Sequence, residues 1–242
     1  MKNREELLLR IIHCLAENLK TDIALKGGML LRLLNCPRST QDVDYVLISG
    51  ESRKKWANRL EEILAKIDGA KVEEVRLNSR GIFMDVATVE EPILRAKIEI
   101  TLQSSLNLPG ESLSTAVLSG QYSLSARIVN TMALAEAFSN KIAAALERNV
   151  LRDLYDIAQF EPLTAFDVST LQKRFASLSL DRKKPQTISF KEGAEMLKKK
   201  SDPLTEEKLE AELYPLLPQD HRAGLLSIIK AAVNRLATKL EI

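Results

Sequence analysis

Two aspartates separated by a single residue, Asp42-Val43-Asp44, head an apolar run that continues to Ile48. In a strand, side chains two apart share a face, so Asp42 and Asp44 point one way while Val43 and Tyr45 point into a core. Carboxylates held this close repel each other and raise each other's proton affinity unless a cation lies between them, and hard oxygen donors favour Mg²⁺. Upstream, Lys26-Gly27-Gly28 precedes Met29-Leu30-Leu31-Arg32-Leu33-Leu34, which reads as the first turns of a buried helix. A glycine turn entering a helix leaves backbone N–H groups pointing outward, and such groups bind phosphate. In a later strand, Arg95 to Leu102, Ile98, Ile100 and Leu102 alternate with Lys97, Glu99 and Thr101, which offers Glu99 as a third carboxylate. Asp85, between Met84 and Val86, competes for that role. Backbone donors for a triphosphate and three acids for two Mg²⁺ ions are the parts that polymerase-type nucleotidyl transfer requires.

The rest of the composition pushes chemistry onto those carboxylates. With only His13 and His221, far apart, a His-based zinc site or triad has little support. Cys14 in a helical stripe and Cys36 in a loop give neither metal-ligand spacing nor a disulfide framework, which fits a reducing compartment. No apolar stretch approaches the roughly 20 residues that span a bilayer, and Met1-Lys2-Asn3-Arg4-Glu5-Glu6 lacks a signal-peptide pattern, so a cytoplasmic location with no membrane partner is expected. The formal net charge of +2 hides a locally basic stretch from Thr170 to Lys200. There Lys173, Arg174, Arg182, Lys183, Lys184, Lys191, Lys198, Lys199 and Lys200 outnumber Asp181, Glu192 and Glu195. Clustered cations attract nucleic acid by counterion release, and a solvated helical face or loop accounts for the same charges.

The elements that must position these residues follow from periodicity. Leu7, Leu8, Ile11, Ile12, Leu15 and Leu19 predict an amphipathic helix over Glu5 to Leu19, and Trp56, Leu60, Ile63, Leu64 and Ile67 predict another over Ser52 to Ile67. Strands are expected at Lys71 to Leu77, Gly81 to Val89 and Arg95 to Leu102. Asn107-Leu108-Pro109-Gly110 is a turn cluster that divides the chain into residues 1–110 and 111–242. Beyond it the pattern is helical: one long helix or a closely joined pair from Ala133 to Phe160, shorter helices at Phe166 to Leu178 and Lys191 to Lys200, a start signal at Thr205, and a closing helix from His221 to Leu240. Lys141, Arg148 and Arg152 fall at i, i+7 and i+11, which on one helix makes a cationic stripe.

Taken together, Leu25-Lys26-Gly27-Gly28-Met29-Leu30-Leu31-Arg32-Leu33, Arg38-Ser39-Thr40-Gln41-Asp42-Val43-Asp44, Lys141-Ile142-Ala143-Ala144-Ala145 with Arg148, and Arg152-Asp153-Leu154-Tyr155-Asp156 resemble the AbiEii/AbiGii (MenT-like) nucleotidyltransferase toxins of type IV toxin-antitoxin systems. The resemblance spans about residues 5 to 160. It implies an α+β fold, a nucleotidyltransferase-type mixed β-sheet domain with flanking helices over 1–110, followed by a helical domain over 111–242 that completes the active site. It further implies that Gly27, Gly28 and Lys141 bind the nucleoside triphosphate, and that Asp42 and Asp44 are metal-binding catalytic acids; the residues themselves add Glu99 as the third metal carboxylate and Arg38, which either contacts the nucleotide's phosphates or ties the loop down. Lys141 and Asp153 would complete the catalytic set. Mg²⁺ is the implied cofactor, tRNA or another RNA the acceptor, and a DNA-binding antitoxin a partner. Lys183, Lys184, Lys198 and Lys199 are the expected acceptor contacts. The wider superfamily usually carries Ser or Thr after the second glycine, where this chain has Met29, so one hydroxyl is missing from the phosphate grip. Two other activities fit the same acids: a metal-dependent nuclease, for which the Gly-Gly turn has no purpose, and a non-catalytic nucleotide-binding module.

Overall fold

Asn3 accepts a hydrogen bond from the Glu6 amide at 3.0 Å and so starts the first helix, α1 (Arg4–Leu19). In the computed structural model, which describes residues 1–180 and 184–241, every member of the expected stripe from Leu7 to Leu19 is at most 2% exposed. A buried Leu or Ile contributes about 1.5–3 kcal/mol relative to its exposed state, so this face fixes α1 to its unit.

The surface that α1 covers is a sheet. Among the described residues it has seven strands, β1 (Ile23–Lys26), β2 (Asp42–Ile48), β3 (Ala70–Leu77), β4 (Ile82–Thr88), β5 (Arg95–Gln103), β6 (Glu111–Ser114) and β7 (Ile128–Thr131). Their order is β3-β4-β5-β2-β1-β7-β6. The β2–β5 and β1–β7 pairs are parallel and the others antiparallel, giving a mixed sheet. The acidic strand β2 is therefore interior, with both edges paired. In it Val43 and Tyr45 are buried while Asp42 and Asp44 are half-buried on the other face. Helix α2 (Gly27–Leu33) leaves β1 directly, α3 (Arg53–Leu64) is capped by Ser52, which accepts from the Lys55 amide, and α4 (Ala116–Gln121) joins β6 to β7. The α3 helix stops three residues earlier than its apolar pattern, because Ile63 and Leu64 accept from the amides of Lys66 and Ile67 in a closing turn that still buries Ile67.

Met1–Ala133 forms one compact unit and Leu134–Ile242 a second, so the division falls after Ala133 rather than at Pro109-Gly110. The residues between those points belong to the sheet: β6 pairs with β7, β7 lies parallel to β1 through Leu25 and Thr131, and Asn130 donates to the Ile23 carbonyl at 2.9 Å. Both strands are four residues long without clean alternation, and backbone pairing rather than an apolar face holds them.

The second unit is helical, with α5 (Leu134–Glu147), α6 (Leu151–Phe160), α7 (Val168–Phe175), α8 (Phe190–Ser201), α9 (Glu206–Glu212) and α10 (Leu225–Leu240). Of the two readings for Ala133 to Phe160 the joined pair is the one realised, with a break at 148–150. Ser189 and Glu192 cap α8 reciprocally, and Thr205 caps α9 by accepting from the Lys208 amide. Phe138, Phe160, Phe166, Phe190 and Phe175 form a continuous aromatic chain through the core, with centroids 5.5–6.5 Å apart. Among the described residues no helix is long and apolar enough to cross a membrane.

Just past the end of α6, Glu161 accepts from Arg235 at 2.7 Å and Lys239 at 2.8 Å, both on α10. The Arg235 hydrogen bond, followed by Lys239, pulls its carboxyl from about 4.5 down to about 2, against the opposing effect of burial. A depressed carboxylate contributes stability above its unfolded pKa and loses it as the pH falls through the folded value. Thermal melting should therefore fall between about pH 4.5 and about 2 more steeply for the unaltered protein than for Glu161→Gln. At pH 7 the variant should lose no more than about 1 kcal/mol, because its partners are half-exposed.

Candidate functional site

Gly27 adopts a left-handed φ of +71°, which an L side chain rarely tolerates. Its neighbourhood forbids a side chain as well: a Cβ there would lie 2.1 Å from Asp44 Oδ2. A Cβ on Gly28 would lie 2.9 Å from Thr40 Oγ1 and 3.3 Å from Arg38 Nη2. The glycine turn is thus seated directly against the acidic strand, as expected from sequence, and Asp44, Thr40 and Arg38 gather around it. Antiparallel pairing of β1 with β2 sets Lys26 opposite Asp44 and brings the strand-to-helix turn to the acidic end of β2. The N-cap residue of α2, Lys26, makes no side-chain capping bond, so its side chain does not compete for the first-turn amides.

Thr40 was part of the sequence pattern without a role. Its hydroxyl donates to Asp42 Oδ1 at 2.6 Å, which fixes that carboxylate relative to the loop and brings a hydroxyl beside Gly28. Met29, where the superfamily has a hydroxyl, is fully buried, so Thr40 is the hydroxyl available at this turn. Arg38 is only 5% exposed and donates to the Ser39 carbonyl at 3.2 Å, a fixed cation against the glycines. The spacing of Thr40 two residues before Asp42 was the available signal, because short hydroxyl side chains at that offset bond locally in turns.

Parallel pairing sets Lys97 opposite Asp42 and Glu99 opposite Asp44 on the same face. Asp85 is one strand farther out, opposite Lys97, and pairs with Arg76 at 2.8 Å. Register therefore favours Glu99 over Asp85 as neighbour of the pair. Among the described residues, however, no three His, Cys, Asp or Glu side chains come close enough to hold one ion. The carboxylates gathered at the turn are Asp42 and Asp44, with Glu99 beside them in register. Two hard carboxylates suit Mg²⁺, which commonly takes one or two from the protein and fills its octahedron with phosphate oxygens and water.

In the helical unit, Lys141 and Asp153 are ion-paired with each other. Lys141 Nζ lies 3.2 Å from Asp153 Oδ1 and 2.9 Å from Asp156 Oδ2, and Arg148 grips Asp153 through Nε at 2.6 Å and Nη2 at 2.9 Å. Asp153 and Asp156 are almost fully buried. Burial works to lower the pKa of Lys141, but the Asp156 and Asp153 carboxylates outweigh it and hold the ammonium above its usual range. Burial likewise pushes Asp153 up, and Arg148 with Lys141 keeps it below the ordinary carboxylate value. Because the chain breaks after α5, Lys141, Arg148 and Arg152 do not form the single stripe expected of one helix. Lys141 and Arg148 converge on Asp153, and Arg152 is exposed. Asp156, unassigned from sequence, is the second anchor of Lys141.

The expected acceptor lysines separate. Lys183 lies outside the described residues, Lys184 is exposed, Lys198 pairs with Glu241 at 2.6 Å, and Lys199 is exposed on α8. Lys200 is drawn inward, donating to the Ala145, Leu146 and Arg148 carbonyls at 2.7–3.0 Å and so capping the end of α5.

Comparison with known proteins gives the same fold. MenT4, a nucleotidyltransferase toxin from Mycobacterium tuberculosis H37Rv, superposes with a TM-score of 0.68 at 18% identity, over 97% of this chain and 82% of that one. JHP933 from Helicobacter pylori superposes at 0.57 and 16% identity, over 98% and 92%. A nucleotidyltransferase-like protein from Paracoccidioides brasiliensis gives 0.50 at 18% identity, over 72% and 86%. At such identities the likeness establishes the fold. No curated protein matches the chain by sequence. The sequence model described as "Nucleotidyl transferase AbiEii toxin, Type IV TA system" matches residues 11–238, nearly the whole chain. The protein therefore belongs to the AbiEii family of nucleotidyltransferase toxins of type IV toxin-antitoxin systems, and is a nucleotidyltransferase.

Proposed function

We propose that this nucleotidyltransferase moves a nucleoside monophosphate from a nucleoside triphosphate to an RNA acceptor of the tRNA class, releasing pyrophosphate and so inhibiting growth. The observation that carries the reading is the close approach of the Gly27 backbone to the Asp44 carboxylate, which supports one turn serving both the triphosphate and a metal ion. The amides entering α2 and the Arg38 guanidinium bind the triphosphate, and Asp42 and Asp44 would hold Mg²⁺; Glu99, opposite Asp44 in register, is not close enough to complete a three-carboxylate set for that ion. Mg²⁺ bound there would supply Lewis acidity and neutralise charge at the phosphates. An acceptor hydroxyl forms a bond to the α-phosphorus while the bond from that phosphorus to the bridging oxygen breaks. Pyrophosphate leaves with the bond electrons, and the hydroxyl proton passes to water. Thr40 keeps Asp42 oriented throughout. Lys141, kept charged by Asp156 and Asp153, is suited to contact phosphate; Asp153 is a positioning residue, since its carboxylate is fully engaged by Arg148 and Lys141. We further infer a cytoplasmic site of action and a DNA-binding antitoxin as partner, as the family suggests.

Three outcomes test this reading. With Mg²⁺, labelled triphosphates and total tRNA, the unaltered protein should label RNA only when triphosphate is present, and Asp44→Ala should reduce labelling by at least about a hundredfold; RNA breakdown without triphosphate, or equal labelling by both proteins, would contradict it. Gly27→Ala should abolish labelling too, since the new methyl displaces Asp44, and a fully active variant would remove the central contact. Asp153→Asn should differ in kind. It leaves Lys141 and Arg148 short of a buried counter-charge and should cost about 3 kcal/mol in urea unfolding, whereas Asp42→Asn should leave stability within about 1 kcal/mol.

A further inference from the structure

Within the helical unit lies a cavity of about 430 Å³, in the range of small-molecule sites (roughly 300–1,000 Å³), and every residue lining it belongs to that unit. The turn between α5 and α6 contributes Arg148 and Asn149, α8 contributes Met196 and Lys199, the connection after α8 contributes Leu204, and α9 contributes Lys208. Cations dominate the rim, where Lys199 and Lys208 are exposed and, among the described residues, the one acid is Glu212. The wall beneath is apolar, with Leu204 at 7% exposure and Met196 half-buried. Arg148 stands between this cavity and the buried pair: Asp153 holds its guanidinium side-on through two hydrogen bonds, while 48% of its side chain remains exposed. A planar, orientationally fixed guanidinium stacks on bases and donates to phosphate. Lys200 ties the same turn to α8 through its three carbonyl bonds, so the cavity wall is rigid on the side that holds Asp153.

An anionic group at the rim joined to a flat, weakly polar body beneath it is the chemistry of a nucleotide. We propose that this cavity is a second nucleotide-binding site, with Lys199 and Lys208 on the phosphate and Arg148, Met196 and Leu204 against the base. Its occupant is either a nucleotide within an RNA acceptor strand, away from the reacting end, or a free mononucleotide. The proposal rests on the nucleotidyl-transfer reading in one respect, that such a reaction needs an acceptor as well as a triphosphate.

The test is fluorescence anisotropy on the full chain with a labelled single-stranded oligoribonucleotide, without Mg²⁺ or triphosphate, and with AMP as competitor. Lys199→Gln/Lys208→Gln should weaken RNA binding on the order of tenfold and reduce the salt slope by roughly 1.4, the value for two lost phosphate contacts to a single strand. Lys54→Gln/Lys71→Gln removes the same charge from exposed positions outside the cavity and the basic stretch and should change affinity less than about twofold. If AMP binds the unaltered protein saturably and the Lys199/Lys208 variant weakly while RNA shows no saturable binding, the occupant is a free nucleotide; RNA binding that the Lys199/Lys208 substitution weakens and AMP leaves intact assigns a strand. Wild-type RNA affinity in the Lys199/Lys208 variant, equal losses in both double variants, or no saturable binding of either probe overturns the proposal. Asp44→Ala separates the two readings: RNA bound normally with no transfer leaves the cavity in place, and transfer with an unchanged acceptor KM in the Lys199/Lys208 variant removes the cavity alone.

Discussion

A carboxylate oxygen of Asp44 occupies the space where any residue other than glycine at position 27 would carry its Cβ. That exclusion couples three levels of the molecule. It demands glycine in a left-handed conformation at the end of β1, it fixes where α2 begins, and it holds outward-facing amides against an acidic strand. The sheet exists around this contact. Because β2 is interior, with β1 on one side and β5 on the other, Asp44 is held by backbone pairing on both edges and Asp42 by pairing with β5, and Lys26, Lys97 and Glu99 are set beside them by register. Their remaining freedom is in side-chain torsions, and Thr40 removes some of that from Asp42.

The helical unit solves a different problem, how to keep a lysine charged inside protein. A lone buried ammonium loses its proton readily, since burial favours the neutral form. Here two almost fully buried carboxylates surround Lys141, and Arg148 balances the charge of one of them. Such a network adds little net stability over an apolar replacement, yet it fails badly if one member is removed, which ties the position of Lys141 to all of its partners. The same arrangement places Arg148 at the wall of a cation-rimmed cavity, so the group that orients the buried pair also borders a surface suited to a polyanion.

Much of this was legible in the sequence, and the exceptions have physical causes. The stripe from Leu7 to Leu19 and the alternation at Val43, Tyr45, Ile98 and Ile100 announced buried faces, because burial imposes a period on side chains. The expected proximity of Gly27-Gly28 to Asp42-Val43-Asp44 was legible too, because the glycines and the acids belong to one proposed chemistry, and the structure seats Gly27 against Asp44. Strands β6 and β7 were not, since four-residue strands held by backbone hydrogen bonds leave little imprint on side-chain pattern; the boundary expected at Pro109-Gly110 was displaced for that reason. Thr40 and Asp156 escaped because their roles are hydrogen-bond and ion-pair partnerships fixed by tertiary position. The cationic stripe of Lys141, Arg148 and Arg152 assumed a continuous helix, and the break at 148–150 turned a surface pattern into a buried cluster.

The central claim is that the diglycine turn and the aspartate pair form one site for a metal-bound triphosphate. Calorimetric titration with a non-hydrolysable α,β-methylene triphosphate, with and without Mg²⁺, tests it without requiring an acceptor. The account predicts saturable binding that depends on Mg²⁺ and disappears in Asp42→Asn/Asp44→Asn. Binding that ignores the metal and survives the double substitution would contradict it.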